Sequence, residues 1–542
     1  MFRFAVIADA HFHDPETDFG VDGPRWSGLS LRPGAEVARV PRLFNETGAA
    51  LTGALDDAAR RGIRHVVLLG DLTDDGQGAT AARLRVLLDR FTDRFGMRFH
   101  ALPGNHDVFA DAGRHRTRRF LTATGHIAVT SDPAHLDPDA ERVHVSPGMH
   151  CGGYADFWSV FPEAGLRRDP RDLHWETPFG TAPAPGERRL DVASPDGSAR
   201  IPVTDASHLA EPVEGIWFLM IDANVFVPRD RCDRCDRPPE PFADATDAGW
   251  TAMPAHKAAV LDWIADVARR AREAGKRLVA FSHYPLLDPR GGPGEERAIG
   301  RTALARRIPG PEVGRALARA GVRLHFGGHL HINALTRGRW GGDTLTDVAV
   351  PSLAAYPAAW KAVTLSAKGL TVETVRLGAL PCDPLIRSAY AAEAARSGDR
   401  RLLPLAAAPT LDALALAHAR VVVGRRHLRR DWPVALAGVA RLGSLGDLVR
   451  RLPGPMPADL PPDGGWRDVP LLDFVTDWYL VRMAGPAARA DLDPDRLAAV
   501  LRVAAHLRAS PPRGGPEAAF AALLAAFAAR LDAEDGVAAA PF

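Results

Sequence analysis

Five short polar motifs between Asp9 and His331 contain side chains of the types that bind metal ions in proteins. The motifs are Asp9-Ala10-His11, Gly70-Asp71-Leu72-Thr73-Asp74, Gly104-Asn105-His106-Asp107, Ser282-His283-Tyr284-Pro285 and Gly327-Gly328-His329-Leu330-His331. Their donors are carboxylate oxygens, an amide oxygen and imidazole nitrogens, without a thiolate. Such a donor set suits Mn, Fe, Zn, Co or Ni and does not choose among them. The motifs therefore predict a site for divalent cations.

The spacing inside the motifs indicates how the side chains could converge. Alternate side chains of a strand share a face, so Asp9 and His11 can reach one ion. His329 and His331 form a second pair with the same spacing. Asp71 follows a glycine at which the backbone can turn sharply, and its two carboxylate oxygens can bridge two cations. We therefore expect a centre with two metal ions.

Each motif follows a short apolar run that is typical of a β-strand. The runs are Phe4–Ala8, His65–Leu69, Phe99–Leu102, Leu278–Phe281 and Val322–Phe326, and helical patterns cover Phe44–Arg61, Ala79–Phe95, Lys257–Ala274 and Pro311–Ala320. Alternating strands and helices predict an α/β domain. Because such sheets place their sites at the carboxyl ends of strands, we expect the motifs to meet there.

Two stretches interrupt this alternation. The segment Phe12–Pro41 is rich in Gly, Pro and Asp and is predicted to be a long loop. A longer insertion, about Val108–Glu214, separates the third motif from the strand Ile216–Ile221. Long insertions of this kind are either functional loops over a site or surface decorations, and both interpretations stay open. Further strand-like runs are Thr346–Val350, Ala362–Leu365 and Leu370–Val375.

A change of composition near residue 380 marks a predicted domain boundary. Residues 381–542 are rich in Ala, Leu and Arg and carry helical patterns, for example at Asp495–Leu507 and Glu517–Leu531. The basic run Arg425–Arg430 is predicted to be a solvated helix face. We expect one domain over residues 1–380 and a second, mostly helical C-terminal domain over residues 381–542.

The overall composition limits the class of partner. The chain has 542 residues, of which 46% are hydrophobic and 25% charged, and its formal net charge is +1. This balance gives no reason to expect nucleic acid or an anionic membrane as the main partner. The N-terminus is not a convincing signal peptide, and the longest apolar stretch, Ala518–Ala529, is about half a membrane span. We predict a cytoplasmic protein and leave its oligomeric state open.

The four cysteines are too few in so long a chain for a disulfide framework. Cys232 and Cys235 form one CxxC pair. A structural zinc normally needs two further ligands, and the sequence offers no second CxxC. We interpret the pair as incidental, with a secondary zinc or a disulfide as the alternatives.

The five motifs, taken in this order, resemble the calcineurin-like metallophosphoesterase superfamily, whose pattern is D-x-H, G-D-x-x-D/N, G-N-H-D/E, a lone His and G-H-x-H. The resemblance covers roughly residues 1–378 and implies a four-layer α/β/β/α sandwich. It implies one metal held by Asp9, His11, Asp71 and His331. It implies a second metal held by Asp71, Asn105, His283 and His329, with Asp71 bridging. By the same resemblance, His106 is the catalytic histidine and is oriented by Asp74.

The chemistry that this arrangement would support is hydrolysis of a phosphoester. Two cations about 3.5–4 Å apart lower the pKa of a bridging water and hold the non-bridging phosphoryl oxygens. The resulting hydroxide attacks phosphorus in line. A protonated His106, kept protonated and oriented by Asp74, would neutralise the oxyanion leaving group.

One departure from the superfamily bears on the substrate. Many protein phosphatases of this superfamily carry Arg directly after the second acid of the Gly-Asp motif, and this chain has Asp75 there. If Asp75 faces the pocket, it repels a dianionic monoester more than a monoanionic diester. We therefore predict a phosphodiesterase acting on a small substrate, such as a cyclic nucleotide or another small phosphodiester. A phosphomonoesterase for nucleotides or sugar phosphates and a non-catalytic binding scaffold are the alternatives.

Overall fold

The structure of the protein is a computed structural model that describes residues 1–21, 25–134, 137–181, 184–230, 240–292, 294–450, 465–509, 514–533 and 537–540. The strands are β1 (Phe2–Ile7), β2 (His65–Leu69), β3 (Arg98–Leu102), β4 (Thr117–Leu121), β5 (His126–Thr130), β6 (Arg142–Val145), β7 (Trp175–Glu176), β8 (Arg189–Ala193), β9 (Arg200–Thr204), β10 (His208–Val213), β11 (Ile216–Ile221), β12 (Arg277–Ser282), β13 (Leu324–Gly327), β14 (Ala334–Trp340), β15 (Asp343–Ala349), β16 (Ala359–Ser366), β17 (Gly369–Arg376) and β18 (Val537–Ala540). The α-helices are α1 (Gly34–Val37), α2 (Thr47–Arg60), α3 (Gly78–Phe95), α4 (Tyr154–Val160), α5 (Gly249–His256), α6 (Ala258–Glu273), α7 (Gly294–Ile299), α8 (Ala303–Arg306), α9 (Pro311–Ala320), α10 (Pro384–Ser397), α11 (Leu403–Ala407), α12 (Leu411–Val422), α13 (Leu428–Arg430), α14 (Val434–Leu442), α15 (Leu445–Arg450), α16 (Leu471–Ala484), α17 (Pro494–Ala509) and α18 (Gly515–Leu531). Cys232 and Cys235 lie outside the described residues, so the interpretation of that pair stays a prediction.

Two β-sheets form the centre of the molecule. The strand order is β18-β17-β16-β1-β2-β3 in the first sheet and β14-β15-β13-β12-β11-β10-β7 in the second. The neighbours β1, β2 and β3 run parallel, as do β11, β12, β13 and β15. Parallel neighbours need crossover connections, which helices such as α2, α3, α6 and α9 supply.

The alternation of side chains along the strands explains how the layers stack. In β1, Phe4 and Val6 belong to the core between the two sheets, whereas Ala5 and Ile7 pack against the helices outside the first sheet. Strands β11 and β12 alternate in the same way between the central core and the helices α6 and α9. The rings of Phe4 and Phe218 join the two sheets, with centroids 5.2 Å apart. Both faces of each sheet are thus covered, as parallel sheets require, and the predicted four-layer α/β/β/α sandwich is confirmed.

Local signals in the sequence account for the ends of the predicted helices. Helix α3 ends where Gly96 adopts the left-handed conformation, with φ of 65°. Helix α9 begins with Pro311 at its first position and ends before Gly321, which has φ of 113°. Proline fits the first turn and glycine fits the position after the last turn. The helix predicted from Phe44 begins three residues later, as α2.

The predicted insertion contributes strands to the central sheets as well as structure outside them. Strand β10 pairs antiparallel with β11 after a tight turn at residues 214–215, and β7 pairs with β10. The earlier part of the insertion forms the small sheet β4-β5-β6, and β8 and β9 form a hairpin. Strands β7 and β10 of the insertion therefore belong to the second sheet, and its other strands form separate small sheets.

The helical region after residue 380 contributes to two hydrophobic cores. Ile386, Tyr390 and Leu402 belong to the same core as the outer face of the first sheet. Trp478 and Phe520 belong to a second core, which α12 and the helices after it build. Because α10 and α11 share a core with the N-terminal region, the predicted boundary near residue 380 does not separate two independent cores.

The apolar stretch in α18 is packed inside the second core. Phe520, Leu523, Leu524 and Phe527 are all buried there. In the part of the chain that the structure describes, no helix has the length and apolar character needed to cross a membrane.

Candidate metal centre

The metal-binding motifs lie in loops that follow the carboxyl ends of strands. Asp9 and His11 follow β1, Asp71 follows β2, and His329 and His331 follow β13. All five residues have positive φ, between 41° and 67°. Such a backbone is uncommon for residues with a side chain, costs free energy and clusters at functional sites. The convergence expected from strand alternation is therefore achieved by strained loops instead.

Two glycines of the motifs allow these loops to approach one another. A Cβ at Gly104 would overlap the backbone nitrogen and Oδ1 of Asp71. A Cβ at Gly328 would lie 2.5 Å from Oδ2 of Asp9. Glycine is the residue that leaves room for the carboxylates at these two positions, because it has no Cβ.

Asp9, His11 and His331 form the first group of converging donors. Their ligating atoms lie within 4.8 Å of one another. Nε2 of His331 is 3.4 Å from Oδ1 of Asp9 and 3.3 Å from Nε2 of His11. Oδ2 of Asp71 is 3.7 Å from Nε2 of His11. The structure therefore brings together the four residues expected around one metal.

Asp71, His283 and His329 form the second group, and their ligating atoms also lie within 4.8 Å of one another. Nε2 of His283 is 3.4 Å from Oδ2 of Asp71 and 3.2 Å from Oδ1 of Asn105. Nδ1 of His329 is 3.2 Å from the same nitrogen of His283. Asp71 is thus close to both groups, which is the position that a bridging ligand needs.

The donor atoms of the two groups fit divalent cations. Oδ1 of Asp9 is buried and accepts no hydrogen bond from the described residues. Imidazole nitrogens face each other in two pairs, His11 with His331 and His283 with His329. Carboxylate, amide and imidazole donors that converge in this way are a typical site for first-row divalent metals. The residues present therefore fit two ions.

The charges at the centre also favour metal binding. Burial alone would raise the pKa of Asp71, but nearby His283, His106 and His11 hold it well below its ordinary value. Burial lowers the pKa of His11 and of His329 well below the usual range. Burial opposes a charged His283, yet Asp71 raises its pKa to about 9, so a cation would compete with a proton there. Ionised carboxylates and neutral imidazoles are the forms that bind metals.

Contacts behind the ligands fix their orientation. Nδ1 of His283 is 2.8 Å from the carbonyl oxygen of Leu69, which directs Nε2 to the centre. Asn105 donates from Nδ2 to Oγ1 of Thr246 at 3.0 Å and so presents its amide oxygen to His283. Outer contacts of this kind hold ligands in the geometry that a metal needs. No pattern in the sequence marked Thr246 as a supporting residue.

Asp107 connects the loop after β2 to the loop after β3. Its carboxylate accepts hydrogen bonds from the amides of Leu72, Thr73 and Gly104 at 3.0, 2.9 and 2.9 Å. The hydroxyl of Thr73 donates to it as well, at 2.9 Å. Burial, followed by the charge of Asp71, raises the pKa of Asp107 to about 6. Asp107 is therefore a positioning residue, a role that its place in the motif did not reveal.

His106 lies beside the ligands, but its predicted partner is corrected by the structure. Nδ1 of His106 is 2.8 Å from Oδ1 of Asp75. Asp74 instead accepts hydrogen bonds from Arg32 at 2.7 Å and from Arg42 at 3.1 Å. The prediction that Asp74 orients His106 is therefore wrong, because these guanidinium groups hold Asp74 and its neighbour faces the ring. Two adjacent acids are equivalent in the sequence, so no signal there could separate them.

Asp75 is buried and does not line the pocket. It is 1% exposed and forms ion pairs with Arg118 and, at 3.4 Å, with Arg116, in addition to its contact with His106. Arg118 belongs to β4, so the insertion supports the site through Asp75. Asp75 was expected to repel a phosphomonoester only if it faces the pocket. It does not face the pocket, so this reason for preferring a diester is removed.

His106 is neutral in this environment. Burial, followed by the charge of Arg42, lowers the pKa of His106 to about 4. Because Asp75 is an acceptor, the proton of the neutral ring lies on Nδ1. Nη1 of Arg42 is 3.4 Å from Nε2 of His106, so a guanidinium faces the free nitrogen.

A cavity of about 350 Å³ lies over the ligands. Its floor includes His11, Asp71, Asn105, His106, His329 and His331. Its walls include Arg42, Thr246, Thr302, Arg307, Leu330 and Tyr356 and, from the helical region, His418, Val422, Val423, Arg426, His427, Asp431, Tyr479, Arg482 and Met483. The helical region thus encloses the metal centre. The basic run Arg425–Arg430 is only partly the solvated face predicted, because two of its members line this cavity.

Comparison with known proteins agrees with the motifs. Residues 2–169 match the family model described as calcineurin-like phosphoesterase. No curated protein sequence matches the chain. Among solved structures, a dimetal phosphatase from Danio rerio is similar over 69% of this chain and 96% of its own, with 13% identity and a TM-score of 0.38.

Residues 2–169, which contain the first three motifs, match the calcineurin-like phosphoesterases, and ligands from the other two motifs converge on the same centre. The resemblance predicted from the sequence is thereby confirmed. The protein is accordingly a metal-dependent phosphoester hydrolase.

Proposed function

We propose that the protein hydrolyses a small phosphoester at a dinuclear centre. One metal would be held by Asp9, His11, Asp71 and His331, and the second by Asp71, Asn105, His283 and His329. The observation that carries this proposal is the position of Asp71 Oδ2, 3.7 Å from Nε2 of His11 and 3.4 Å from Nε2 of His283. Two divalent cations, when bound, supply an activated water and polarise the phosphoryl oxygens.

His106 is placed to assist the departure of the leaving group. Asp75 holds Nδ1, so Nε2 is the nitrogen available to a substrate. The negative charge of a bound phosphoester favours the protonated ring, which can then donate a proton from Nε2 to the leaving oxygen. Arg42, next to Nε2, adds positive charge where the oxyanion develops.

The size of the cavity supports a small substrate. A volume of about 350 Å³ lies within the usual range for small-molecule sites. Helices α12 and α16 and the segment between α12 and α13 form part of its walls, which favours a small molecule over a nucleic acid duplex or a folded protein. The cytoplasmic location stays a prediction from the sequence.

The charge of the cavity bears on the choice between a diester and a monoester. The predicted preference for a diester assumed a negative Asp75 at the mouth, and the buried Asp75 supplies no such charge. Arg42, Arg307 and Arg482 line the cavity in ion pairs with Asp74, Asp247 and Glu295. Arg426 adds a positive charge that has no ion-pair partner among the described carboxylates, which favours a substrate with more than one negative charge. We therefore place a phosphomonoester ahead of a simple cyclic or linear phosphodiester, which becomes the second candidate.

Hydrolysis of two chromogenic esters tests this proposal. Metal-depleted protein is reconstituted in turn with Mn, Fe, Zn, Co and Ni and supplied with p-nitrophenyl phosphate or bis-p-nitrophenyl phosphate. We expect metal-dependent hydrolysis, with the larger kcat/KM for the monoester. A larger kcat/KM for the diester would instead support the function predicted from the sequence, a phosphodiesterase. Binding of phosphate without turnover of either ester would support a non-catalytic scaffold.

A further inference from the structure

The cavity contains more arginine side chains than the chemistry at phosphorus uses. Arg42 contacts His106, so Arg42 is assigned to the leaving group at phosphorus. Arg307 and Arg482 make ion pairs with Asp247 at 2.9 Å and with Glu295 at 2.8 Å. Arg426 has no such partner among the carboxylates that the structure describes.

Arg426 comes from an irregular turn of helix that connects α12 to α13. Residues 423–427 form a π-helical turn, an irregularity that is frequent at functional sites. Arg425 turns away from the cavity and pairs with Asp399, and Arg429 and Arg430 are exposed. Arg426 lines the cavity instead and donates one hydrogen bond to the carbonyl oxygen of Arg39 at 3.2 Å.

Contacts of His427, the next residue, fix the turn that carries Arg426. His427 stacks on Tyr479 with ring centroids 4.3 Å apart, and its Nδ1 is 3.0 Å from Oδ2 of Asp431. Burial lowers the pKa of Arg426, and the charges of Arg430, Arg307 and Arg42 lower it further, whereas the charge of Asp431 raises it. Converging guanidinium groups repel one another, and a bound anion relieves that repulsion.

Taking the proposed function as its basis, we propose that Arg426 binds a second anionic group of the substrate. This group, a carboxylate or a phosphate, would be carried by the part of the molecule that leaves from phosphorus. Guanidinium groups bind either anion through paired hydrogen bonds. Val422, Val423 and Leu330 supply apolar wall for a short carbon chain or ring between the two anionic groups. The substrate class is thus a small phosphoester with two anionic groups.

Binding of non-hydrolysable phosphonates tests this inference on the full-length, metal-loaded protein. The probes are ω-carboxyalkylphosphonates with chains from 3-phosphonopropanoate to 6-phosphonohexanoate, the corresponding α,ω-alkanediphosphonates, and alkylphosphonates of equal length. Calorimetry gives the Kd of each. We expect a two-anion probe of at least one chain length to bind roughly tenfold or more tightly than its alkylphosphonate, as a charged hydrogen bond predicts. The series with the lower Kd, carboxylate or diphosphonate, identifies the chemical type of the second anionic group.

Variants of neighbouring arginines show which side chain is responsible. Arg426→Ala should remove the preference for two anionic groups, measured as the ratio of the Kd of the alkylphosphonate to that of the two-anion probe, and Arg426→Lys should retain part of that preference. Arg430→Ala removes an equal charge from an exposed position and should retain all of it. The inference would be overturned if Arg426→Ala kept the preference for two anionic groups. It would also be overturned if Arg430→Ala abolished that preference as fully as Arg426→Ala does.

The outcome separates this inference from the proposed function. If alkylphosphonates bind and p-nitrophenyl phosphate is hydrolysed, but a second anionic group adds no affinity at any chain length, the subsite is wrong and the enzyme assignment stands. If no phosphonate binds and no ester is hydrolysed, the proposed function fails and the subsite fails with it.

Discussion

At the residue scale, the rings of His106, His283 and His329 each have one nitrogen engaged by the scaffold, which determines the nitrogen that faces the reaction. Nδ1 of His283 contacts the carbonyl oxygen of Leu69, whereas Nε2 of His329 contacts that of Thr246 at 2.9 Å. The two rings therefore approach the second group through different nitrogens. Nδ1 of His106 contacts Asp75. Such contacts set the tautomer and the direction of the lone pair before a metal or substrate arrives.

Replacing His106 should separate acid catalysis from metal binding. We expect His106→Ala to leave the metal content near that of the wild type, because no ligand role is proposed for it. The rate should fall roughly 10²–10⁴-fold for an alkyl phosphate and much less for p-nitrophenyl phosphate, whose leaving group needs little protonation. Rate ratios for the two esters and metal content are measured on the same preparation.

The competing interpretation is that His106 only supports the loop that carries Asn105. It predicts an equal loss on both esters together with depleted metal, and that result would exclude the acid role. Asp75→Asn keeps a hydrogen-bonding partner for His106 but removes the negative charge of that partner. Its rate should fall less than that of His106→Ala, and the fall should again be larger for the alkyl phosphate than for p-nitrophenyl phosphate.

At the level of elements, helix α10 is attached to the segments around α1 and α2 by buried polar contacts. Tyr390 donates to Oε1 of Glu46 at 3.0 Å, and Nδ2 of Asn45 donates to the hydroxyl oxygen of Tyr390 at 3.0 Å. Glu393 accepts hydrogen bonds from the amides of Gly34 and Ala35 at 2.6 and 3.0 Å. These contacts connect the start of the helical region to the loop that follows the first metal-binding motif.

Glu46 should make the stability of this contact depend on pH. Burial raises the pKa of Glu46 from 4.5 to about 7 in the folded protein. Between these values the folded state binds more protons than the unfolded state, so the free energy of unfolding falls as pH rises. We expect Glu46→Gln, which stays neutral, to be more stable than the wild type by roughly 1–3 kcal/mol at pH 8 and nearly equal at pH 4.

Denaturant unfolding at the two pH values measures this difference. The exposed Glu16→Gln is the matched control and should change stability little at either pH. A difference between Glu46→Gln and the wild type that is the same at pH 4 and pH 8 would mean that the pKa of Glu46 is the same in the folded and unfolded protein.

On the scale of the whole molecule, the helical region is both a part of the first core and a wall of the cavity. Helices α10 and α11 pack on the outer layer of the first sheet, and α12 and α16 reach the cavity. The sandwich supplies the metal ligands, and the helices supply much of the surface that a substrate would contact. Substrate selection is therefore expected to depend on residues far outside the segment that matches the family model.

Removal of the helical region should destabilise the sandwich. A chain that ends at residue 380 loses Ile386, Tyr390 and Leu402 from the first core, so we expect it to aggregate or to melt well below the full-length protein. In the full chain, Tyr390→Ala should cost roughly 3–5 kcal/mol, and the half-exposed Leu385→Ala on the same helix far less. Cooperative melting of the 1–380 chain at the full-length temperature would contradict the shared core.

The sequence was sufficient for the elements whose pattern is local. The strands before the five motifs and helices such as α9 follow from short apolar runs, glycine and proline. The partner of His106 could not be predicted, because the direction of Asp74 and Asp75 depends on Arg32, Arg42 and Arg118, which come from distant segments. The role of Arg426 could not be predicted for a similar reason, because a basic run has no periodic signal for the members that face the cavity.

The central claim is that Asp71 bridges two metal ions that hydrolyse a phosphoester. The most direct test is the metal content per chain of the full-length protein, measured by mass spectrometry of the elements beside the rate on p-nitrophenyl phosphate. Wild type should bind two ions per chain, and Asp71→Asn should lose one or both together with its activity. The exposed Asp89→Asn should match the wild type. Wild-type protein that is active with a single ion, or Asp71→Asn that retains two ions and full turnover at limiting metal, would contradict the account.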